Sequence, residues 1–206
     1  MSLLNEILSK GEKSTSFYRI ENNDGKVWLM PVNRLRTAMH LYQPSGRNGK
    51  LLKRWFPMLH WLPVLKRKLH IETIICDLTT ELYGKLCQLF GTDRLEFAVF
   101  CGTPCVHQKL TIQLSLGQRI LGYCKVSDNK EVAELFNREN ALLRTLNKSG
   151  VNNVPRILSA GEWRNGVYML VQTTRKTDRS QVIHDWGIFN YDKNVPNKAN
   201  KQTISL

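Results

Sequence analysis

The order of patterned segments between residues 95 and 172 constrains this chain more than any other feature. Residues 95–101 (LEFAVFC) are bulky and apolar and read as a strand. Gly102-Thr103-Pro104 makes a turn. Residues 107–116 (HQKLTIQLSL) then alternate, with Leu110, Ile112, Leu114 and Leu116 on one face and Lys109, Thr111, Gln113 and Ser115 on the other. Gly117-Gln118 makes a tight turn into a third strand, residues 120–126 (ILGYCKV). Here the period changes. Val132, Leu135, Phe136, Leu142, Leu143 and Leu146 recur at helical spacing. Asp128 is the expected N-cap, Glu131 completes a capping box, and Gly150 is the expected stop. Residues 154–158 read as a short strand, Asn165-Gly166 as a hairpin turn, and residues 167–172 (VYMLVQ) as the last strand. A three-stranded meander, a helix and a hairpin predict an α+β unit with a five-stranded antiparallel sheet and one packed helix.

Upstream, residues 71–90 (IETIICDLTTELYGKLCQLF) read as a strand followed by a helix that Gly91 closes. The main unit is therefore expected over residues 72–174. Residues 175–206 are polar and read as a tail. Residues 1–24 read as a short helix, 3–8, and a polar connector.

Residues 25–71 differ from the rest in charge. They hold ten Lys or Arg and no Asp or Glu, whereas the whole chain carries +13. Most of the excess charge thus lies in less than a quarter of the length, which points to an anionic partner. GKVWLMPV reads as a short strand ended by Pro31, and LYQPSGRNGK as a turn. LLKRWFPMLHWLPVLKRKL mixes bulky apolar and basic residues around Pro57 and Pro63. Two readings follow: a basic helical arm packed on the main unit, or a segment lying on an anionic membrane surface. The two prolines favour the packed arm, since they break the long helix that surface binding prefers. Nucleic acid is not expected, because the interleaved basic and aromatic residues form no recognised nucleic-acid-binding motif.

No apolar run approaches the 18 residues that a membrane span needs, and the N-terminus lacks the pattern of a secretory signal. Five scattered cysteines argue against a disulfide framework and for a reducing compartment. The expected location is cytoplasmic, peripheral at the inner face of the membrane if the arm binds lipid. Cys101, Cys105 and His107, with Cys124, form the one candidate zinc set. Their C-x₃-C-x-H spacing lacks a second C-x₂-C pair, so free thiols are expected.

One residue breaks its own pattern. Glu139 sits at i+3 from Phe136 and i+4 from Leu135, with Leu142 and Leu143 one turn on. A carboxylate on an apolar helix face needs a cation or several donors, because a buried unpaired charge costs several kcal/mol. The nearest candidate is Lys125, between Cys124 and Val126 on the strand that leads into this helix. A strand lysine fixed by a helix glutamate serves to contact nucleotide phosphates. Ahead of it, FCGTPCVHQKL is a strand, a glycine-containing turn and a strand. The backbone N–H groups of such a turn donate to phosphate oxygens, and Gly102 permits close approach.

On these stretches the chain resembles the N-terminal lobe of aminoglycoside-phosphotransferase-like enzymes with the protein-kinase fold. The resemblance covers residues 95–174 and rests on FAVFCGTPCVHQKLTIQL, ILGYCKV, ELFNRENALLRTL, VPRILSAGEW and GVYMLVQTT. It extends to bacterial members associated with surface-polysaccharide synthesis. It implies ATP as the nucleotide, held by Lys125, Glu139 and the Gly102-Thr103 turn, with Gln172 to Thr174 as the hinge beside the base. It also implies a C-lobe carrying a catalytic Asp and the Mg²⁺ ligands. About 30 residues follow the hinge. His184-Asp185 with Asn190 echoes a catalytic-loop spacing, but it starts ten residues past Thr174 and no D-x-G follows. The expectation is a nucleotide-binding lobe that is inactive until a C-lobe polypeptide joins it. The alternative is a non-catalytic binding module whose basic arm meets an anionic partner.

Overall fold

In a computed structural model, residues 3–9, 15–151 and 153–174 are described. The anticipated tail and the His184-Asp185 motif lie outside them. Six α-helices and nine strands follow along the chain. They are α1 (Leu3–Ile7), β1 (Leu8–Ser9), β2 (Thr15–Glu21), β3 (Val27–Pro31), α2 (Leu35–Ala38), α3 (Arg47–Leu59), α4 (Pro63–Lys68) and β4 (Glu72–Leu78). Then come α5 (Thr80–Phe90), β5 (Glu96–Cys101), β6 (Leu110–Leu116), β7 (Arg119–Ser127), α6 (Lys130–Lys148), β8 (Ile157–Arg164) and β9 (Val167–Thr173).

All nine strands join one antiparallel sheet in the order β1-β4-β2-β3-β5-β6-β7-β9-β8. The α+β class holds, and the five anticipated strands form one contiguous part of it. The count of five is corrected to nine. Residues 15–31 and 72–78 do not stand apart from that sheet. They extend it through the pairing of β3 with β5. Strand β2 escaped the pattern because nothing in TSFYRIE alternates: Phe17 and Tyr18 are both buried, on opposite faces. A strand covered on both faces loses the polar-apolar alternation by which half-exposed strands are recognised.

Both faces of the sheet are covered. One carries a row running Leu29, Val99, Ile112, Cys124 and Val171 across β3, β5, β6, β7 and β9. Leu3 and Ile7 of α1 and Leu82 and Leu86 of α5 bury this face, and Phe17 meets Phe97 at 4.8 Å between ring centroids. Each such fully buried side chain contributes about 1.5–3 kcal/mol. Gly122 makes room here. A Cβ at that position would strike the Gln172 carbonyl oxygen and the Phe90 ring, so only glycine lets β9 and α5 approach β7 this closely.

The other face carries the row Ile20, Trp28, Phe100, Thr111, Lys125, Leu170 and Ala160. At one end it packs on Leu35, Ala38, Met39 and Phe56 of the α2–α3 segment. At the other, Leu170 packs on Val132 and Phe136 of α6. The turns follow the sequence. Gly91 closes α5 in the left-handed region, and Asn165-Gly166 turns β8 into β9 with φ of 31° and 82°.

Two details of α6 differ from expectation. Its N-cap is Asn129, not Asp128: the Asn129 Oδ1 accepts from the backbone N–H groups of Glu131 (2.7 Å) and Val132 (3.1 Å). The inward stripe is Val132, Phe136 and Leu143, while Leu135 and Leu142 are 56% and 59% exposed.

Candidate functional site

The candidate site stands between the two helical covers. Along the cross-strand row, Phe100 belongs to the core under α2 and α3, and Leu170 to the core under α6. Thr111 on β6 and Lys125 on β7 lie between them, half-buried. The parity of β7 dictates this placement. Cys124 and Val126 turn to the α5 side and are fully buried, so Lys125 must turn to the α6 side.

There it meets Glu139. The Lys125 Nζ donates to both carboxylate oxygens of Glu139, at 2.5 Å to Oε1 and 2.7 Å to Oε2. The side chains are 19% and 33% exposed, so the pair is shielded yet reached by solvent. An ammonium has three donors. Two are used, and the third N–H has no partner among the described residues. The glutamate therefore fixes the ammonium and leaves one donor for an acceptor from outside.

The loop joining β5 to β6, residues 102–109, closes one end of the site. Gly102 N–H donates to the Lys109 carbonyl at 3.4 Å, and the Gln108 side-chain amide returns to the Gly102 carbonyl at 2.8 Å. Gly102 keeps an ordinary backbone angle, and a Cβ there would touch only the Lys109 oxygen at 3.7 Å. Thr103 is exposed at the outer edge of the loop. The buried Ser127 ties this loop to the start of α6. Its hydroxyl donates to the Gln108 carbonyl (2.9 Å) and accepts from the Asn129 N–H (3.3 Å). On the solvent side, His107 Nδ1 lies 3.2 Å from Glu131 Oε2. The β2–β3 turn supports the loop from behind, where Gly25 abuts the Pro104 ring.

Gln172 is buried on β9, opposite Tyr123 on β7, which in turn stands opposite Gln113 on β6. These three residues form the row next to Lys125 on the same face. The side-chain oxygens of Gln113 and Gln172 are both buried with no partner among the described residues. Desolvation of such acceptors is costly, so they mark a place where a donor is wanted. The Gln113 amide nitrogen is already used, donating to the Thr37 carbonyl at 2.9 Å. Burial raises the pKa of the Tyr123 phenol above its ordinary 10.0. The sequence pattern did not single out Gln113 and Tyr123. The polar face of β6 reads as a solvent face, and only the helix laid over it turns Gln113 and Ser115 inward.

The cysteine and histidine candidates do not converge. Among the described residues no group of three or more His, Cys, Asp or Glu could hold a metal ion. All five thiols are free, with Cys105 exposed and Cys101 and Cys124 buried. Burial pushes Cys101 and Cys124 up to about 12, which leaves them inert core residues rather than nucleophiles.

Among the described residues no helix is long and apolar enough to cross a membrane. Comparison of the chain with protein families, with curated proteins and with solved structures found no match.

Proposed function

We propose that this chain is a nucleotide-binding lobe of a phosphotransferase, with a nucleoside triphosphate such as ATP lying on the sheet face between α2 and α6. The observation that carries the reading is the two-point contact of Lys125 with Glu139, which leaves one ammonium donor without a partner among the described residues. A lysine held this way neutralises phosphate oxygens without being drawn into another salt bridge. Gly102 and Thr103 border the phosphates. Gln172 stands at the far end of the same face, where the resemblance places the base. The meander–helix–hairpin order of β5 to β9 with α6 agrees with the kinase-like lobe implied by the resemblance.

Catalysis on this reading requires a second lobe. The described residues contain no catalytic-loop or D-x-G motif, so the groups that activate an acceptor and ligate Mg²⁺ come from elsewhere. Leu135 and Leu142, exposed on α6 on either side of Glu139 in sequence, suit contact with such a polypeptide.

The test is thermal unfolding with and without millimolar ATP, for the wild-type chain and for Lys125→Met. Binding raises the wild-type Tm by roughly 3 °C or more, while the variant shows no ATP-dependent rise over its own baseline. Equal rises in the two proteins would remove Lys125 from the site. Adenosine separates the two ends of the proposed site: it keeps the base contacts and loses the lysine.

A further inference from the structure

Helix α3 carries two apolar stripes, and only one of them is used for folding. Leu52 and Phe56 face the sheet and join its core. Leu51, Trp55, Met58 and Leu59 recur at i, i+4, i+7 and i+8 on the other side and are all exposed. The surface continues past the helix end, with Trp61 66% exposed in the connecting turn and Val64 79% exposed on α4. The Trp61 indole N–H donates to the Met58 carbonyl at 3.1 Å, which holds its ring in place outside the fold. Six large apolar side chains on one short helical pair exceed what isolated surface hydrophobics explain.

The charge around this surface is of one sign. Of the ten basic residues between Gly25 and Ile71, Lys26 pairs with Asp24 and Arg34 with Glu96. The remaining eight have no ion-pair partner among the described residues. Three of them meet at a recess of about 250 Å³ between α2 and α3, where Arg36, Lys53 and Arg54 stand with His40, and Met58 forms one wall. The recess is smaller than the roughly 300 Å³ and upward of sites for drug-sized ligands, and its lining suits a single anionic headgroup.

We propose that α3 and α4 dock on an anionic lipid bilayer. Trp55, Met58 and Trp61 enter the headgroup–acyl boundary, and the Arg36–Lys53–Arg54 recess takes a lipid phosphate. Charge complementarity selects this occupant. An apolar stripe alone would fit a protein, but the Arg36, Lys53 and Arg54 cluster beside it, in a segment with no acidic residue, fits a surface of closely spaced negative charges. Pro57 is compatible with this role. It lies inside α3 yet leaves the i, i+4, i+7, i+8 stripe continuous, so the short helix lies flat.

The experiment is co-sedimentation of the full 206-residue chain with vesicles of equal parts phosphatidylcholine and phosphatidylglycerol, alongside vesicles of phosphatidylcholine alone. Binding is expected to the anionic vesicles with a blue shift of tryptophan emission. It weakens as salt shortens the screening length from about 10 Å to about 3 Å. Replacing Arg36, Lys53 and Arg54 together by Gln lowers the partition coefficient about a hundredfold. Trp55→Ser with Trp61→Ser lowers it about tenfold, and because both rings are outside the core the fold survives, as checked by circular dichroism. Equal binding to the two vesicle types would overturn the proposal, as would no loss in either variant. So would a concentration-dependent dimer abolished by Trp55→Ser, which would make this face a self-interface, or retention on duplex DNA with no vesicle binding.

Discussion

Helices α3 and α6 cover the same face of one sheet and differ in almost everything else. Helix α6 mixes both signs of charge, spends its one inward carboxylate on Lys125, and leaves two isolated leucines outside. Helix α3 has no acidic residue, anchors itself through Leu52 and Phe56, and presents a continuous apolar stripe to solvent. Amphipathicity therefore does not say which stripe is the core. On α6 the sheet selects Val132, Phe136 and Leu143 and rejects Leu135 and Leu142. On α3 it selects the narrower stripe and leaves the wider one free. One helix serves a half-buried ion pair, and the other serves an exposed surface.

Neighbouring residues on α3 give the sharpest way to break that contrast. Phe56→Ala should cost about 3–5 kcal/mol of stability, since it empties a fully buried site. Trp55→Ala, one residue away, should stay within about 0.5 kcal/mol. Chemical denaturation of both variants measures the difference, and similar losses would mean that the outer stripe is also packed. On α6, Phe136→Ala should cost as much as Phe56→Ala, which would show that the two covers are equally structural.

The polar pair comes next in size. A double-mutant cycle on Lys125→Met and Glu139→Gln should give a coupling of about 1–3 kcal/mol, between the values for buried and exposed pairs. The same cycle on Arg34 and Glu96, 2.6 Å apart but with the cation more exposed than Lys125, should give below about 1 kcal/mol. If the second coupling matches the first, Lys125 and Glu139 are an ordinary surface pair.

The pH dependence separates the faces of the sheet. Burial holds the thiol pKa values of Cys76, Cys101 and Cys124 at about 11, 12 and 12, above the ordinary 9.0. Their folded pKa values are raised, so the stability they contribute is complete below pH 9. It is lost as pH climbs toward 12, because the unfolded chain then releases protons that the folded chain keeps. Denaturant midpoints should fall across that window. Replacing Cys101 and Cys124 by Ala should flatten the fall, at a cost in packing. The smallest effect is chemical: a thiol reagent at neutral pH should label Cys105 first and leave Cys101 and Cys124 unmodified until the chain unfolds.

Much of the fold was legible where one face of an element meets water and the other the core. Strands β5, β6, β7 and β9, helix α5 with its Gly91 stop, and the Asn165-Gly166 turn all follow from period and turn chemistry. Strand β2 was not legible, because burial on both faces removes alternation. The cap of α6 moved by one residue, since Asp128 and Asn129 are both competent caps and the tie from Ser127 to the loop decides between them. Within the site, Lys125 and Glu139 were legible as misfits in apolar patterns. Gln113 and Tyr123 were not, because a polar residue in an alternating strand carries no sign that a distant helix covers it.

By itself, the sequence determined the order of elements, the acid-free basic segment, and the need of Glu139 for a cation. Each of these depends on neighbours within a few residues, where backbone period and charge spacing act directly. The tertiary structure decided which strands joined into nine, which stripe of α3 and of α6 turned inward, and which amides became buried acceptors. Those outcomes depend on surfaces brought together from distant parts of the chain, as when the Thr37 carbonyl accepts from Gln113, 76 positions away. Packing of that kind leaves no periodic trace in either segment, because each surface is compatible with water until the other arrives.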